Sequence, residues 1–295
     1  MGNEVEFKNV GMSYKKTEVI KDISFKLEEG KIYGLLGRNG AGKTSMLSLL
    51  AGYRQATEGT LLFDGNPLFE NENAMEAIGF YYQSDNIYEA RQLMNIRELI
   101  DQTEEFRPNF DKQYAENLAK KFKLPLNKKM SELSKGMQAS VSVVLGLASR
   151  LPITVFDEVY LGMDAPTRNI FYKELLDDYE KHPRTVVLST HLVSEMDYLF
   201  EEILIIDKGS LIINDSYESI VSKGATITGS IPVVDEFVSG LKIVNEQTLG
   251  PTKSVAVYGR ISKEKQEEAL QKGLELGSIP LQDLFIYLTE EEEEA

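Results

Sequence analysis

The chain has 295 residues, 42% hydrophobic and 27% charged, the proportions of a globular protein rather than a disordered one. Its 32 basic and 47 acidic side chains give a formal net charge of -15, which argues against a general nucleic-acid binder. Cysteine is absent and only two histidines occur, His182 and His191, so disulfides, thiolate chemistry and most zinc constellations are excluded.

At roughly 150 residues per domain, the length predicts two domains. The N-terminus has no apolar stretch of signal-peptide type, and Glu6 stands where a myristoylation signal needs Ser or Thr. The longest apolar runs, such as Val141–Ser149, fall short of the ~18–20 residues that span a bilayer. The chain is therefore expected to be soluble and cytoplasmic, and any membrane span must come from another chain.

Glu4–Val10 and Ile20–Leu27 alternate apolar and polar residues at period two, as half-buried strands do. Lys31–Leu36 is a short apolar strand running into glycines, and Thr44–Ala51 a helix that Gly52 stops. Arg91–Phe106 and Asp111–Phe122 carry apolar residues at helical spacing, punctuated by Pro108 and Pro125. From Ile153 the order is strand (ITVF), helix Ala165–Glu180, strand (TVVLST), helix Leu192–Phe200 and strand (ILIID). Such alternation predicts a doubly wound parallel sheet with ligands at the carboxyl ends of its strands. The character changes near Gly224. Residues 225–295 hold six basic against thirteen acidic side chains, three strand-like runs and two helix-like runs, Val233–Gly240 and Lys263–Gly273. They read as a small α+β appendage, and Glu290–Glu294 as a solvated tail.

Gly37-Arg38-Asn39-Gly40-Ala41-Gly42-Lys43-Thr44 fits G-x-x-x-x-G-K-[ST] between a strand and a helix. Glycines let the loop curl so that successive N–H groups face one anion, and the helix N-terminus adds its positive end. Lys43 is expected on the β- and γ-phosphates of a nucleotide and the Thr44 hydroxyl on Mg²⁺. Ile153–Glu158 then ends a buried strand in two carboxylates. Asp157 is expected to bind Mg²⁺ directly or through water, and Glu158 to polarise the attacking water as general base. Alone, that strand end is equally readable as solvated charge; after a phosphate loop it is a strong signal.

Between these two motifs lies Leu133-Ser134-Lys135-Gly136-Met137, with Ser134 91 residues after Lys43 and 23 before Asp157. With it the chain resembles the nucleotide-binding subunit of an ABC transporter over residues 3 to about 222, because this segment looks like that family's LSGGQ signature. Gln83 matches the Q-loop, Leu161–Asp164 the D-loop, His191 the switch histidine 33 residues after Glu158, and Tyr14 the aromatic that stacks on adenine. Ser134 is readable also as a plain helix N-cap, which does not compete with facing a phosphate. Departures exist: Lys135 and Met137 replace a glycine and a glutamine of the signature, Val159 stands where proline is usual, and Leu161-Gly162 replaces Ser-Ala. Glu158 and His191 are intact, so hydrolysis is expected, with communication between two sites more in doubt than chemistry.

The resemblance implies a P-loop NTPase fold with a RecA-like mixed sheet in residues 1–222, a helical subdomain at about 88–150, and an α+β accessory domain at 225–295. It implies ATP contacts from Tyr14, Gly37, Arg38, Asn39, Gly40, Ala41, Gly42, Lys43, Thr44, Ser45, Ser134 and Gly136. It implies Mg²⁺ held by Thr44, Gln83 and Asp157, and catalysis by Lys43, Gln83, Glu158 and His191. Two cassettes, identical or paralogous, are expected to close head to tail on ATP and drive an integral-membrane permease from its cytoplasmic face, with Asp85–Met94 near the cleft for the permease. The pattern is most similar to bacterial exporters with separate permeases, linked to antimicrobial-peptide resistance or export of amphipathic peptides such as phenol-soluble modulins. A soluble ABC ATPase working on the ribosome or nucleic acid is the main competing class; one phosphate loop, no heptads and the negative charge disfavour it. A slow regulatory nucleotide sensor is a third, suggested by Lys135 and Val159.

Overall fold

The computed structural model describes residues 2–82 and 89–290. Its first layer is an antiparallel sheet of β1 (Val5–Tyr14), β2 (Thr17–Leu27), β4 (Glu58–Phe63) and β5 (Asn66–Pro67) in the order β2-β1-β4-β5. The second is a six-stranded sheet that also contains β3 (Ile32–Leu36), β6 (Ile78–Tyr82), β7 (Ile153–Asp157), β8 (Thr185–Thr190), β9 (Glu202–Asp207) and β10 (Ser210–Ser216), ordered β10-β9-β3-β8-β7-β6. Five strands are parallel and β10 pairs antiparallel with β9, so the sheet is mixed rather than wholly parallel.

Both faces of the parallel strands are buried, which is why they read as continuous apolar runs. Along β7, Ile153 and Val155 face the core shared with the antiparallel sheet, while Phe156 faces the helices; along β8, Val187 takes the first side and Val186 and Leu188 the second. Helix α1 (Lys43–Leu50) packs in the first core. The short α2 (Glu72–Ala77) leads into β6. On the other face, α4 (Ile96–Phe106), α5 (Lys112–Lys121), α6 (Lys135–Ser149) and α7 (Ala165–Lys181) share one core. The single helix expected over Arg91–Phe106 is two helices: α3 (Glu89–Leu93) stops, and α4 restarts behind Asn95. Asn95 accepts from the Glu98 amide and Glu98 reaches back to the Asn95 amide, a reciprocal cap that fixes the new start. The helix expected at Leu192–Phe200 is likewise shorter: α8 (Val193–Met196) tightens into a 3-10 turn at Asp197–Leu199.

After α9 (Tyr217–Ser222) come β11 (Gly224–Ser230), α10 (Ile231–Phe237), β12 (Ile243–Leu249), β13 (Thr252–Tyr258), α11 (Lys263–Gln271), β14 (Glu275–Ser278) and α12 (Leu281–Thr289). The sheet order β12-β13-β11-β14 with this succession is the split βαβ arrangement of ferredoxin-like units. Among the described residues the appendage therefore has four strands and three helices, one more of each than its pattern predicted. One face of its sheet carries a small core of Ile227, Val234, Phe237, Val255, Val257 and Leu274. Behind the other face, Leu281, Leu284 and Phe285 of α12 join the large core together with Val193, Met196 and Leu199.

Candidate functional site

The loop between β3 and α1 is shaped by its glycines. Gly40 and Gly42 have φ of 83° and 110°, the left-handed region that favours glycine. A Cβ on Gly37 would lie 2.7 Å from the Ile206 carbonyl oxygen, so β9 presses the loop from behind. Gly42 is the N-cap of α1 and has no side chain to cap with, so the first amides of the helix are available to an anion. Lys43 is buried and curls back under the loop. Its Nζ donates to the Gly37 oxygen at 2.7 Å and the Arg38 oxygen at 3.3 Å, and lies 3.2 Å from Glu158 Oε1. Arg38, Asn39 and Gly40 form the exposed rim; Ala41 is buried and Ser45 half-buried.

The adjacent strand ends supply the carboxylates. Asp157, only 7% exposed, accepts from Thr44 Oγ1 at 2.7 Å and from the Ser189 hydroxyl. Burial pushes its carboxyl pKa up, and the hydrogen bonds from Ser189 and Thr44 pull it back. Register explains the contact, since Asp157 of β7 pairs with Ser189 of β8. Ser189 also receives the Glu158 amide at 3.1 Å and so holds that residue at φ 47°, an uncommon backbone for a non-glycine. Glu158 Oε1 lies 3.2 Å from His191 Nδ1. Tyr160, 1% exposed, reaches the same ring: its hydroxyl is 3.4 Å from His191 Nδ1 and accepts from the His191 amide at 3.2 Å and from Thr190 Oγ1 at 3.0 Å.

Thus Lys43, Thr44, Asp157, Glu158 and His191, far apart in the chain, converge at the carboxyl ends of β3, β7 and β8. Sequence reasoning missed Ser189, Thr190 and Tyr160; two polar residues closing the TVVLST strand were the available signal. Ser134 and Gly136 stand elsewhere, at the start of α6. Ser134 caps that helix by accepting from the Met137 amide at 3.3 Å, and a Cβ on Gly136 would lie 2.4 Å from the Gly162 oxygen. Tyr14 is 39% exposed, and the Arg54 guanidinium sits 5.2 Å from its ring centroid. Gln83 and the segment 85–88 lie outside the described residues.

The loop fits a polyphosphate: curled amides, a helix start and one buried cation face the same place. Thr44 and Asp157 offer two hard oxygen donors, and among the described residues no group of three or more His, Cys, Asp or Glu surrounds a metal position. Such a sparse set suits Mg²⁺, which takes few protein ligands and completes its shell with phosphate and water oxygens.

A family model described as ABC transporter matches residues 20–160. The chain is 30% identical over 207 residues to the ABC transporter ATP-binding protein YtrB of Bacillus subtilis (strain 168), covering 70% of each. It is 25% identical over 295 residues to an uncharacterized ABC transporter ATP-binding protein of Methanocaldococcus jannaschii, covering 97% of this chain and 99% of that one. A solved dimeric ATP-binding cassette in a post-hydrolysis state with ADP and Pi superposes at a TM-score of 0.64, with 23% identity over 72% of this chain and 98% of that one.

Proposed function

Because the chain belongs to the ABC transporter ATP-binding proteins, a family of ATP hydrolases, we propose that its converged residues bind and cleave ATP to drive a separate membrane permease. The observation that carries this reading is the single cluster in which a loop lysine, a loop threonine, two strand-end carboxylates and a histidine meet. In it, Gly37, Arg38, Asn39, Gly40, Ala41, Gly42, Lys43, Thr44 and Ser45 hold the triphosphate, and Tyr14 stacks on adenine. Lys43 leaves Glu158 for the phosphates. Glu158, so released, orients the attacking water and takes its proton. His191 donates a hydrogen bond to the terminal phosphate. Thr44 and Asp157 hold Mg²⁺, which when bound neutralises charge on the phosphates. Gln83 is assigned a place on the metal and the water.

Ser134 and Gly136 are assigned to the ATP of a second cassette, identical or paralogous, so that two helix starts close on one triphosphate. Residues 1–222 form the cassette in this reading, with a helical subdomain at about 88–150, and 225–295 an accessory unit. Among the described residues no helix is long and apolar enough to cross a membrane. The permease is proposed to dock where Tyr53, Met75, Phe80, Tyr82 and Arg107 line a cavity of about 320 Å³ between the sheet edge and the helices. The cargo class proposed is peptides or amphipathic compounds, moved outward from the cytoplasmic face.

Glu158→Gln is expected to lower ATP turnover a hundred- to ten-thousandfold and to trap an ATP-bound dimer on size exclusion. A variant that stays monomeric with ATP, or hydrolyses at the original rate, would remove the reading. Lys43→Ala is expected to weaken ATP binding about ten- to a hundredfold by loss of charge-assisted bonds, measured by titration.

A further inference from the structure

We propose that Tyr160 is a positioning residue that sets the tautomer of His191, donating its hydroxyl proton to Nδ1 and so fixing the other proton at Nε2. The inference rests on the reading of His191 as the partner of the terminal phosphate. A phenol hydroxyl has one proton and two lone pairs. Here the lone pairs are taken by the His191 amide at 3.2 Å and by Thr190 Oγ1 at 3.0 Å. Thr190 Oγ1 in turn accepts the Leu192 amide at 2.9 Å. The proton is left for His191 Nδ1, 3.4 Å away. Tyr160 is 1% exposed, so water does not compete for that proton, and burial raises the phenol's pKa to about 12, so the proton stays.

Nδ1 has a second suitor with the opposite demand. Glu158 Oε1, 3.2 Å away and also 3.2 Å from Lys43 Nζ, can bond Nδ1 only when that nitrogen carries a hydrogen. Tyr160 is satisfied only when Nδ1 is bare. The two bonds exclude each other in the neutral ring. In the Glu158 arrangement Nε2 is bare and repels a phosphate oxygen. In the Tyr160 arrangement Nε2 carries the hydrogen that a phosphate accepts, and Glu158 is free to meet water once Lys43 has also left it. One exchange at Nδ1 therefore arms both groups, and the buried tyrosine biases it.

The test uses the full chain with histidine labelled in its ring nitrogens. The only other histidine is His182, so a His182→Gln background leaves a single imidazole to observe. At alkaline pH, where imidazole is neutral, Glu158→Ala removes the competing carboxylate. The His191 ring is then expected as the Nε2–H tautomer, and adding Tyr160→Phe should return it to a mixture. Thr190→Val, which keeps the tyrosine proton, should retain Nε2–H. An unchanged tautomer on adding Tyr160→Phe overturns the proposal, because the tyrosine proton is then not on Nδ1; so does an Nε2–H tautomer that appears only once Thr190→Val is added to Glu158→Ala, because the proton was then held by Thr190. In steady state Tyr160→Phe in the otherwise native chain is expected to lower kcat about tenfold, with KM for ATP little changed; a change confined to KM also overturns it. The nuclear readout needs no nucleotide, so it stands or falls apart from the ATPase reading, which fails instead if His191→Ala leaves turnover intact.

Discussion

The backbone of Gly162 approaches Gly136 so closely that position 136 has no room for a side chain. A Cβ on Gly136 would meet the Gly162 carbonyl oxygen at 2.4 Å, and Gly162 has φ 82°. Backbone cannot swing aside as a side-chain tip can. Gly136→Ala is therefore expected to cost about 1–3 kcal/mol, read by urea unfolding, and to lower turnover more than it lowers ATP affinity. The pairing also accounts for one departure from the family pattern. A Cβ on Gly162 would in turn lie 3.3 Å from Lys135 Cβ, so Gly162 leaves room for the side chain that stands where the signature has a glycine. Equal stability of Gly136→Ala and the native chain would contradict the close approach.

At the scale of elements, the most legible parts were those buried on two sides. β3, β7 and β8 are apolar throughout, and the phosphate loop and the Asp-Glu strand end announce themselves by residue type and order. In β12 the residues are mostly exposed, so alternation has little to report there. The break before α4 was legible but unread: Asn95 and Glu98 have the spacing of a reciprocal cap. Tyr160 and His191 lie 31 residues apart, and only the pairing of β7 with β8 brings them together. Two predictions belong here. Asn95→Ala should cost about 1 kcal/mol of stability, since it strips the cap from a buried helix start. At the start of α9, Asp215 accepts from Ser219 Oγ, the Ser216 amide and Lys223, and the lysine bond holds its carboxyl below the ordinary range. A depressed carboxyl contributes stability above its unfolded pKa of about 3.9 and loses it as pH falls through the folded value. With the side chain 31% exposed, solvent screening limits the contribution. Asp215→Asn should thus be less stable by roughly 1 kcal/mol or less at neutral pH, and the difference should vanish on acidification below both pKa values.

For the whole molecule, the decisive feature is where α12 goes. Its sequence, LQDLFIYLT, places Leu281, Leu284, Phe285 and Leu288 at helical spacing, yet its buried face belongs to the cassette's core rather than to the appendage's own. Leu281 and Leu284 are 0% and 1% exposed, packed in the core that holds Val193, Met196 and Leu199. Those three residues follow His191 directly, on α8 and the turn after it. The rings of Tyr258 and Tyr287 lie 6.1 Å apart with their planes tilted by 38°, so the sheet of the appendage leans on the same helix. The appendage is accordingly clamped to the segment that follows His191, and its removal should be felt in the large core. Leu284→Ala is expected to destabilise the protein by about 2–5 kcal/mol, the cost of an unfilled core site. The loss should appear in the main unfolding transition, the one that ATP shifts upward by binding the folded cassette. A variant in which only a separate, ATP-insensitive transition moved would show two independent units, and would mean that α12 merely rests on α8.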